Sequence, residues 1–418
     1  MSSGSGAGAG AGAAADADAD GTGAAGAHDF VDIFATIAAG AVERELGREL
    51  AYEAVELLRQ SGFTALRVPA EFGGAGIRLP EFFTLLVDLA AADSNVAHLL
   101  RGHFAFVEIL LLKPDSEYRS RWLRAIAEGA IVGNAASEQT GTTLADISTT
   151  LAEVDGRWLL NGTKFYSTGT LYSTHVYTAA ARGDERVTCV VATDAPGVRT
   201  IDDWDGIGQR LTASGTTVFE NVEVDPSTIA SYSGGGPTHL GGFFQLVLVA
   251  VAAGVSQATL TDAVAYVRAR KRSFISANTE LPRDDPQVQQ VVGQLSAIAF
   301  STRALVESAA RLMQHAADAA ATRPDDSEAR LAAVDTAEIA AYQAQVAVLD
   351  EAQRGASLLF EVGGASATYR TAALDRHWRN VRTIASHNPV IYKLRQLGEW
   401  ETNGVGPNDM WRKLWVVG

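Results

Sequence analysis

Three long helical patterns fill the chain after about residue 240, and they limit the folds that it can adopt. Apolar residues recur at three- and four-residue spacing in "FFQLVLVAVAAGVSQATLTDAVAYVRARKR", "DPQVQQVVGQLSAIAFSTRALVESAARLMQHAADAAATR" and "DSEARLAAVDTAEIAAYQAQVAVLDEAQRGASLLFEV". The second pattern stops before Pro324 and the third at Gly363-Gly364, where a helix is expected to end. Helices of roughly thirty residues suit an antiparallel bundle. The sequence therefore predicts a helical bundle over residues 240–418.

Alternating apolar and polar residues precede this bundle. "TLAEVDGRWLLNGTKFYS" is typical of two strands joined by Asp155-Gly156, and "HVYTAAARGDERVTCVVAT" repeats the pattern around Gly183-Asp184. "SGTTVFENVEVD" supplies a further strand. These segments predict a central β domain over residues 131–232, either a small barrel or a sandwich.

The first part of the chain favours helices over residues 29–130. "AVERELGRELAYEAVELLRQSG" predicts a helix that stops at Gly62, and the apolar segment from Pro80 predicts one or two more. "SEYRSRWLRAIAEG" predicts another, ended by Gly129. Residues 1–28 are mostly Gly, Ala and Asp, without the basic and apolar regions of a signal peptide, and are expected to form a disordered tail. The fold class is thus α+β.

Composition excludes several classes of function. A net charge of −15 argues against a nucleic-acid binder. Cys189 is the only cysteine, which excludes intrachain disulfides and cysteine-based metal sites and fits a reducing cytoplasm. The longest apolar run, residues 243–255, falls short of the ~20 residues of a membrane span. The chain has no G-x-G-x-x-G, P-loop, H-E-x-x-H or G-x-S-x-G motif, and no metal site is predicted. Any redox chemistry therefore needs a cofactor bound by a different architecture, or reducing power delivered from elsewhere.

Several segments carry a family resemblance. "VPAEFGGAGI", "NGTKFYSTG", "WDGIGQRLTASGTTVFENVEV" and "GGASATYRTAALDRHWRNVR" resemble the acyl-CoA dehydrogenase superfamily. "GNAASE", "FEVGGA" and "DRHWRNVRTIASHNPVIYK" are closer to its flavin-dependent monooxygenases, typified by dibenzothiophene monooxygenase. The resemblance implies an N-terminal helical domain, a central β-barrel or sandwich and a C-terminal antiparallel four-helix bundle, assembled as a homotetramer.

The resemblance also implies a reaction. Such enzymes take reduced flavin, here FMNH2 or alternatively FADH2, from a separate NAD(P)H-dependent reductase. They form a C4a-hydroperoxyflavin with O2 and oxygenate a small organic substrate, for which an organosulfur compound is the nearest expectation. An FAD-dependent acyl-CoA dehydrogenase, an N-hydroxylase of an amine or amino sugar, and a helical assembly protein that has lost flavin remain alternatives.

The position of a catalytic base argues against the dehydrogenase. Such an enzyme needs a carboxylate to remove a proton α to a thioester carbonyl. In the largest dehydrogenase group this glutamate lies nine residues after the arginine that Arg379 resembles, and that position holds Asn388. An amide cannot accept the proton, although some dehydrogenases place the base on another helix.

Three residues are the candidate catalytic groups. His387, beside Asn388, can donate a hydrogen bond to a flavin peroxide or shuttle its proton, although it also fits a residue that merely ends a helix. His98 resembles a second histidine of the substrate pocket, or a satisfied histidine on a buried helix face. Thr168 falls where the superfamily places a hydroxyl near flavin N5. His103 faces another direction on the helix and is expected to support the fold.

The resemblance implies flavin contacts from several segments. The candidates are Asn134, Ala135, Ala136, Ser137, Glu138, Gln139, Lys164, Phe165, Tyr166, Ser167, Thr168, Trp204, Arg272, Ala365, Ser366 and His387. Arg272 resembles an arginine that binds the flavin phosphate across a subunit interface. Arg270, two residues earlier, is the alternative for this role. The segment from Ser137 to Ser148 resembles a lid that keeps water out.

Two positions depart from the related enzymes. They carry an aromatic residue where this chain has Gly102, a change that can enlarge the pocket, and an arginine where it has Ser366. The conspicuous arginines Arg376, Arg379 and Arg382 lie along one side of a predicted helix and are expected to form structural salt bridges.

Overall fold

A computed structural model describes residues 30–139, 147–231, 238–322 and 326–407. The predicted tail and residues 140–146 of the predicted lid lie outside these ranges. The N-terminal helices α1–α7 are Val31–Ala39, Ala41–Gly47, Tyr52–Gln60, Leu79–Ala92, Ser94–Leu99, Arg101–Leu112 and Glu117–Ala127. The strands β1–β8 are Val132–Ala135, Thr150–Val154, Arg157–Lys164, His175–Arg182, Glu185–Ala192, Val198–Thr200, Thr217–Val224 and Ala230–Ser231. The C-terminal helices α8–α12 are Leu240–Ala269, Pro286–Thr322, Ser327–Leu358, Asp375–His387 and Val390–Asn403.

The N-terminal helices are shorter than the sequence pattern predicts. The expected single helix up to Gly62 is divided into α2 and α3, because Arg48 adopts a left-handed conformation with φ of 52°. The apolar segment after Pro80 forms three helices, α4, α5 and α6, rather than one or two. The break between α4 and α5 comes from Asp93, which is extended and accepts a hydrogen bond from the backbone N of Asn95 as an N-cap. This break fixes the direction in which α5 points His98.

The central strands confirm both predicted hairpins. Asp155 and Gly156, with φ of 51° and 77°, join β2 to β3, and Gly183-Asp184 joins β4 to β5. The described strands form one sheet in the order β6-β7-β3-β2-β4-β5-β8, with β1 parallel to β4. Apolar side chains from six of these strands share one core, and this core holds the sheet as a separate layer.

The C-terminal part is the expected bundle of long helices. Helices α8, α9 and α10 have 30, 37 and 32 residues and pack on one another, and α11 packs against α8 and α10. Helix α4 of the N-terminal part lies against α8 and α9, so the main core runs through both helical regions. The sheet therefore lies beside a continuous helical core.

Two stretches of helix are longer and more apolar than the sequence suggested. Ser94–Leu112 and Leu240–Ala269 are long and apolar enough to cross a membrane, whereas the sequence analysis considered only the shorter run 243–255. The apolar windows of these stretches are 83% and 78% buried inside the molecule. Both therefore act in this structure as core helices.

Candidate active site

His98 is buried at the end of α5 with one ring nitrogen in use. Its Nδ1 lies 2.9 Å from Gln209 Oε1, so Nδ1 carries the proton and donates it to this oxygen. Its Nε2 is buried and has no hydrogen-bond partner in the described part of the chain. Desolvation, together with the charge of Arg101, lowers the pKa of His98 to about 4, against the opposing effect of Gln209. At neutral pH the imidazole is neutral and presents a free lone pair.

Gln209 is the residue that sequence reasoning missed. Besides His98, its side chain donates to Ser94 Oγ at 3.1 Å, and its backbone N donates to Asn380 Oδ1 at 2.6 Å. Its carbonyl accepts a hydrogen bond from Trp204 Nε1 at 3.0 Å. Gln209 adopts a positive φ of 52°, which aims its backbone and side chain at these different elements. The family-like segment "WDGIGQRL" contains the residue, but no spacing in the sequence singles it out.

His387 ends α11 and is exposed to solvent. Desolvation by the surrounding protein lowers its pKa well below the ordinary value, and Arg101 and His98 add to this shift. His387 is therefore neutral at pH 7. The structure brings both candidate histidines together, and the formal charge that acts on both is that of Arg101.

Asn388 is fixed as a hydrogen-bond donor beside His387. Its Nδ2 donates to Gln245 Oε1 at 2.7 Å, and its backbone carbonyl accepts from Gln345 Nε2 at 3.1 Å. Gln245 lies on α8 and Gln345 on α10, so the bundle holds the start of α12 in place. The side-chain amide at the position of a dehydrogenase base is thus used in a hydrogen bond to the helical bundle.

Two glycines allow the β domain to lie close to helices α5 and α6, near the histidines. A Cβ atom on Gly102 would lie 2.5 Å from Asn134 Oδ1, so the carboxamide of Asn134 rests directly on α6. The space opened by Gly102 is therefore taken by Asn134. A Cβ atom on Gly169, whose φ is +78°, would lie 1.9 Å from the carbonyl oxygen of Leu99. The loop that carries Thr168 can approach α5 this closely only with glycine there.

Thr168 and its neighbours are held by a second loop. Thr168 Oγ1 lies 2.7 Å from Ser214 Oγ, and both residues are buried. Ser167 N donates to the carbonyl of Gly215 at 3.1 Å, which pins the two loops together. The Ser167 hydroxyl itself is buried without a partner among the described residues. The predicted role of Thr168 beside a flavin remains a prediction.

The segment after β1 meets the segment after β3. Ser137 and Phe165 form an isolated bridge in which Phe165 N donates to Ser137 O at 2.9 Å. This contact brings together the two groups of predicted flavin-binding residues. The first group is Asn134, Ala135, Ala136, Ser137, Glu138 and Gln139, and the second is Lys164, Phe165, Tyr166, Ser167 and Thr168.

Within these groups, Glu138 and Lys164 form a buried ion pair. The Lys164 ammonium lies 2.6 Å from Glu138 Oε1, and the two side chains are 0% and 1% exposed. Glu138 also accepts hydrogen bonds from the backbone N and the hydroxyl of both Ser148 and Thr149. Desolvation opposes ionisation of Glu138, but these hydrogen bonds and Lys164 outweigh it and lower its pKa to about 2. Both charged groups serve the fold, and a flavin contact of either remains a prediction.

An aromatic wall borders this region. Tyr166 has a positive φ of 56° and is 50% exposed. Its ring lies edge-on to Phe165 at 4.6 Å and to Trp204 at 6.1 Å between centroids. Such partly exposed rings offer a flat apolar surface to a ligand.

Arg272, Ala365 and Ser366 lie at the other end of the bundle. Arg272 is exposed just after α8, while Arg270 donates to the carbonyl of Val362 at 2.6 Å. Phe244, which contacts Arg101, lies near the start of α8, so about 25 residues of helix separate the two regions, roughly 35 Å. One chain therefore does not bring Arg272 or Ser366 near its own His98 and His387.

Two of the three predicted salt-bridge arginines form salt bridges, while Arg382, among the described residues, forms hydrogen bonds to neutral side chains instead. Arg376 pairs with Asp262 at 2.5 Å and Arg379 with Glu45 at 2.7 Å, while Arg382 donates to Gln353 Oε1 at 2.9 Å. His103 uses both ring nitrogens: Nε2 donates to Thr64 O at 2.8 Å, and Nδ1 accepts from Val132 N.

Comparison with known proteins decides the family. The chain matches the acyl-CoA dehydrogenase N-terminal domain over residues 25–130, the middle domain over 134–222 and the C-terminal domain over 246–391. It is 31% identical over 391 residues to dibenzothiophene monooxygenase of Rhodococcus qingshengii, which covers 88% of this chain and 91% of that enzyme. The chain belongs to the flavin-dependent monooxygenase branch of the acyl-CoA dehydrogenase superfamily.

Solved structures of flavin monooxygenases are similar to this structure over most of the chain. FMN-bound TdsC from Paenibacillus sp. A11-2 superposes with a TM-score of 0.82 at 26% identity, over 91% of this chain and 98% of that one. Methanesulfinate monooxygenase MsuC from Pseudomonas fluorescens gives a TM-score of 0.80 at 28% identity, over 91% and 97%. The recognised family and the α+β fold predicted from sequence are confirmed.

The residues of this flavin monooxygenase fit an FMN ring. Buried polar atoms without partners in the described chain, His98 Nε2 and Ser167 Oγ, offer an acceptor and a hydroxyl. Tyr166 and Trp204 supply the apolar wall beside them. The flavin ring of FMN has polar edges and a flat aromatic face, so it matches these polar atoms and this apolar wall.

Proposed function

We propose that this chain is a two-component flavin-dependent monooxygenase that uses reduced FMN and O2 to oxygenate a small organosulfur compound. The observation that carries the proposal is the amide of Asn388, which donates to Gln245 where a dehydrogenase would keep its base, beside a neutral His387. Abstraction of a proton α to a thioester needs a carboxylate base, and the position where the largest dehydrogenase group keeps it holds an amide here. Oxygen transfer needs hydrogen-bonding groups beside the flavin, and the two neutral imidazoles fit that need.

The reducing equivalents come from outside the chain. The sequence has no dinucleotide-binding motif with which to take hydride from NAD(P)H. A separate NAD(P)H-dependent flavin reductase is therefore the proposed partner. When bound, reduced FMN supplies the two electrons with which O2 is divided between the substrate and water.

The protein groups hold protons at defined atoms. Gln209 keeps the proton of His98 on Nδ1, which leaves Nε2 as an acceptor towards the ligand. His387 is neutral and keeps one proton that it can donate in a hydrogen bond. Thr212 donates its hydroxyl proton to the Gln209 carbonyl, so Ser214 donates to Thr212 and Thr168 donates to Ser214. The lone pairs of Thr168 Oγ1 are therefore left to accept a hydrogen bond from the flavin. These three groups are the proposed catalytic set.

The substrate class follows from the family. Dibenzothiophene monooxygenase and methanesulfinate monooxygenase are named for organosulfur substrates of different size and charge. N-hydroxylation of an amine or amino sugar is the second candidate, because His98 Nε2 can accept a hydrogen bond from an N–H group. The positive charge of Arg101 disfavours this candidate, since a protonated amine would be repelled.

We propose a homotetramer in which two chains build each flavin site. The predicted phosphate-side residues Arg272, Ala365 and Ser366 lie one helix length from the histidines of the same chain. One FMN can meet both groups only if they come from different subunits. The exposed apolar side chains of Phe274 and Ile275, next to Arg272, support a subunit contact at this end.

Domain limits and location complete the proposal. The sequence-based bounds 29–130, 131–232 and 240–418 agree with the change from helices to strands after α7 and back to helices at α8. A cytoplasmic location is supported by the single, buried Cys189.

The test supplies chemically reduced FMN and O2 without any reductase, together with an organosulfur substrate. Formation of an oxygenated product in proportion to the FMN oxidised is the expected result. Reduction of bound FAD by an acyl-CoA, with no oxygenated product from reduced FMN, would overturn the proposal in favour of the dehydrogenase. FMN binding measured by tryptophan fluorescence gives a readout that does not depend on turnover.

A further inference from the structure

Arg101 is a cation at the active site with no carboxylate partner. Its Nε donates to the carbonyl oxygen of Phe244 at 3.2 Å, and its guanidinium lies 5.3 Å from the centroid of the Phe244 ring. No Asp or Glu oxygen in the described residues comes within ion-pair distance of it. Arg44 and Arg67, by contrast, pair with Asp93 and Glu108 at 2.8 and 2.7 Å.

The location of Arg101 makes this missing partner significant. It is the first residue of α6, less than one turn after His98, and is partly buried. Its charge acts on both His98 and His387, and both imidazoles are neutral. A partly buried cation among neutral groups is stabilised when a ligand brings an opposite charge. Desolvation lowers the pKa of Arg101 to about 10, so it remains charged at pH 7.

The residue after Arg101 makes room for a polar side chain from the sheet. Gly102 follows Arg101, and its missing side chain lets the Asn134 carboxamide lie against α6. The guanidinium of Arg101 itself offers several N–H donors, which are the groups that an oxyanion needs. A neutral aromatic sulfide would leave Arg101 without compensation.

We infer that Arg101 binds the head group of a small organic sulfinate and sets the preference of the site for anionic over neutral sulfur substrates. This inference rests on the proposed monooxygenase function. The planar guanidinium can donate two parallel hydrogen bonds to the two sulfinate oxygens. The sulfur keeps a lone pair, which forms the new bond to oxygen.

The reaction balances without any further reagent. R–SO2⁻ + FMNH2 + O2 gives R–SO3⁻ + FMN + H2O. The sulfur lone pair takes one oxygen atom of O2 while the O–O bond breaks. The other oxygen atom leaves as water with the two hydrogens of FMNH2. Sulfur is oxidised by two electrons and FMNH2 by two, while O2 accepts four.

A matched pair of substrates tests the inference. Benzenesulfinate and methyl phenyl sulfide are similar in size, and only the first is an anion. With reduced FMN and O2, the wild type is expected to favour the sulfinate in kcat/KM. Arg101→Gln is expected to shift the ratio of the two kcat/KM values by 100-fold or more towards the sulfide, and Arg101→Lys by about 10-fold. Exposed Arg199 supplies the control, because Arg199→Gln is expected to leave the ratio unchanged.

A binding measurement separates this inference from the proposed function. Benzenesulfonate has the same charge but no sulfur lone pair, so it binds without reacting. Its Kd for the FMN-loaded protein is expected to rise at least 10-fold in Arg101→Gln, while the Kd for FMN changes less than threefold. The inference is overturned if the wild type prefers the sulfide, if benzenesulfonate does not bind, or if Arg101→Gln weakens FMN binding instead. Binding of benzenesulfonate without oxidation of either substrate would overturn the monooxygenase function alone.

Discussion

At the scale of single residues, the site depends on contacts between positions far apart in the chain. His98 and Gln209 are 111 residues apart, and the Asn380 that holds the backbone of Gln209 is 171 residues further on. The sequence predicted His98, His387 and the amide of Asn388 because family-like motifs contain them. It did not predict Gln209 or the unpaired Arg101, because their roles arise from tertiary contacts that no local pattern records.

Gln209→Leu tests the orientation of His98. The change removes the acceptor of the Nδ1 proton, so the imidazole is no longer fixed in one tautomer. We expect the yield of product per FMNH2 to fall about 10-fold and H2O2 to rise, with a loss of about 1–3 kcal/mol in the free energy of unfolding. Gln314→Leu removes hydrogen bonds to Leu79 and Asp318 far from the site and serves as control. If the yield of product per FMNH2 fell equally in Gln209→Leu and Gln314→Leu, the proposed role of Gln209 would be contradicted.

Glu138→Gln tests the buried ion pair and its dependence on pH. The variant leaves Lys164 unpaired inside the protein, which is expected to cost roughly 3–5 kcal/mol in the free energy of unfolding at pH 7. The pKa of Glu138 is lowered to about 2 in the folded state, so its stabilisation is present above pH ~5 and is lost as pH falls towards 2. Denaturant unfolding at pH 7, 5 and 3 should show the gap to wild type narrowing.

Lys164, Ser148 and Thr149 all contribute to the environment of Glu138. The pKa of Lys164 is itself lowered, because its desolvation outweighs the attraction of Glu138. For Glu138, the hydrogen bond from Lys164 is the largest cause that lowers the pKa, and the hydrogen bonds from Ser148 and Thr149 add to it. Exposed Glu153 is the control, since Glu153→Gln is expected to change stability by less than about 0.5 kcal/mol. A gap that stays constant with pH would contradict the account.

At the scale of elements, hydrophobic period and turn residues predicted most of the structure. Both hairpins and all three long helices lie where the sequence placed them. The misses are breaks within helical patterns, at Arg48 and at Asp93, where apolar periodicity continues across the break. Periodicity reports which face is buried, but it does not report a left-handed residue or an N-cap in the middle of the pattern.

Gly102→Ala tests the close approach between α6 and β1. The new Cβ would lie 2.5 Å from Asn134 Oδ1, so the carboxamide has to rotate away from the site. We expect FMN to bind several-fold more weakly in a fluorescence titration. Gly293→Ala in α9 meets no atom within 4 Å and is expected to stabilise the protein by about 0.5–1 kcal/mol without affecting FMN. Equal FMN affinity in the two variants would count against the proposed contact.

At the scale of the whole molecule, the long axis of α8 separates two halves of one proposed site. The histidines lie near its start, and Arg272 follows its end. The family resemblance already implied that Arg272 meets the flavin across a subunit interface. The separation along α8 supplies a physical reason for that expectation, because it depends on the direction of the helices in the bundle. A site shared between subunits reconciles both sets of predicted residues.

Mixed oligomers test the shared site. His387→Ala and Arg272→Ala chains are each expected to lose most activity on their own. If each site takes His387 from one chain and Arg272 from another, random mixing by co-expression should restore about a quarter of the intact sites. Product formation in the mixed preparation, compared with the two separate variants, measures the recovery. If product formation is not restored in the mixed preparation, His387 and Arg272 either act in the same chain or belong to unrelated sites, and the shared site is wrong.

The central claim is that the chain transfers one oxygen atom from O2 to its substrate. Reduced FMN, ¹⁸O2 and benzenesulfinate are mixed with the protein in ordinary water, and the product is analysed by mass spectrometry. We predict that the benzenesulfonate formed carries a single ¹⁸O atom. Its amount should equal the FMNH2 consumed minus the H2O2 released. Product oxygen drawn from water, or FMN oxidation that yields H2O2 alone with every sulfur substrate tried, would contradict the central claim.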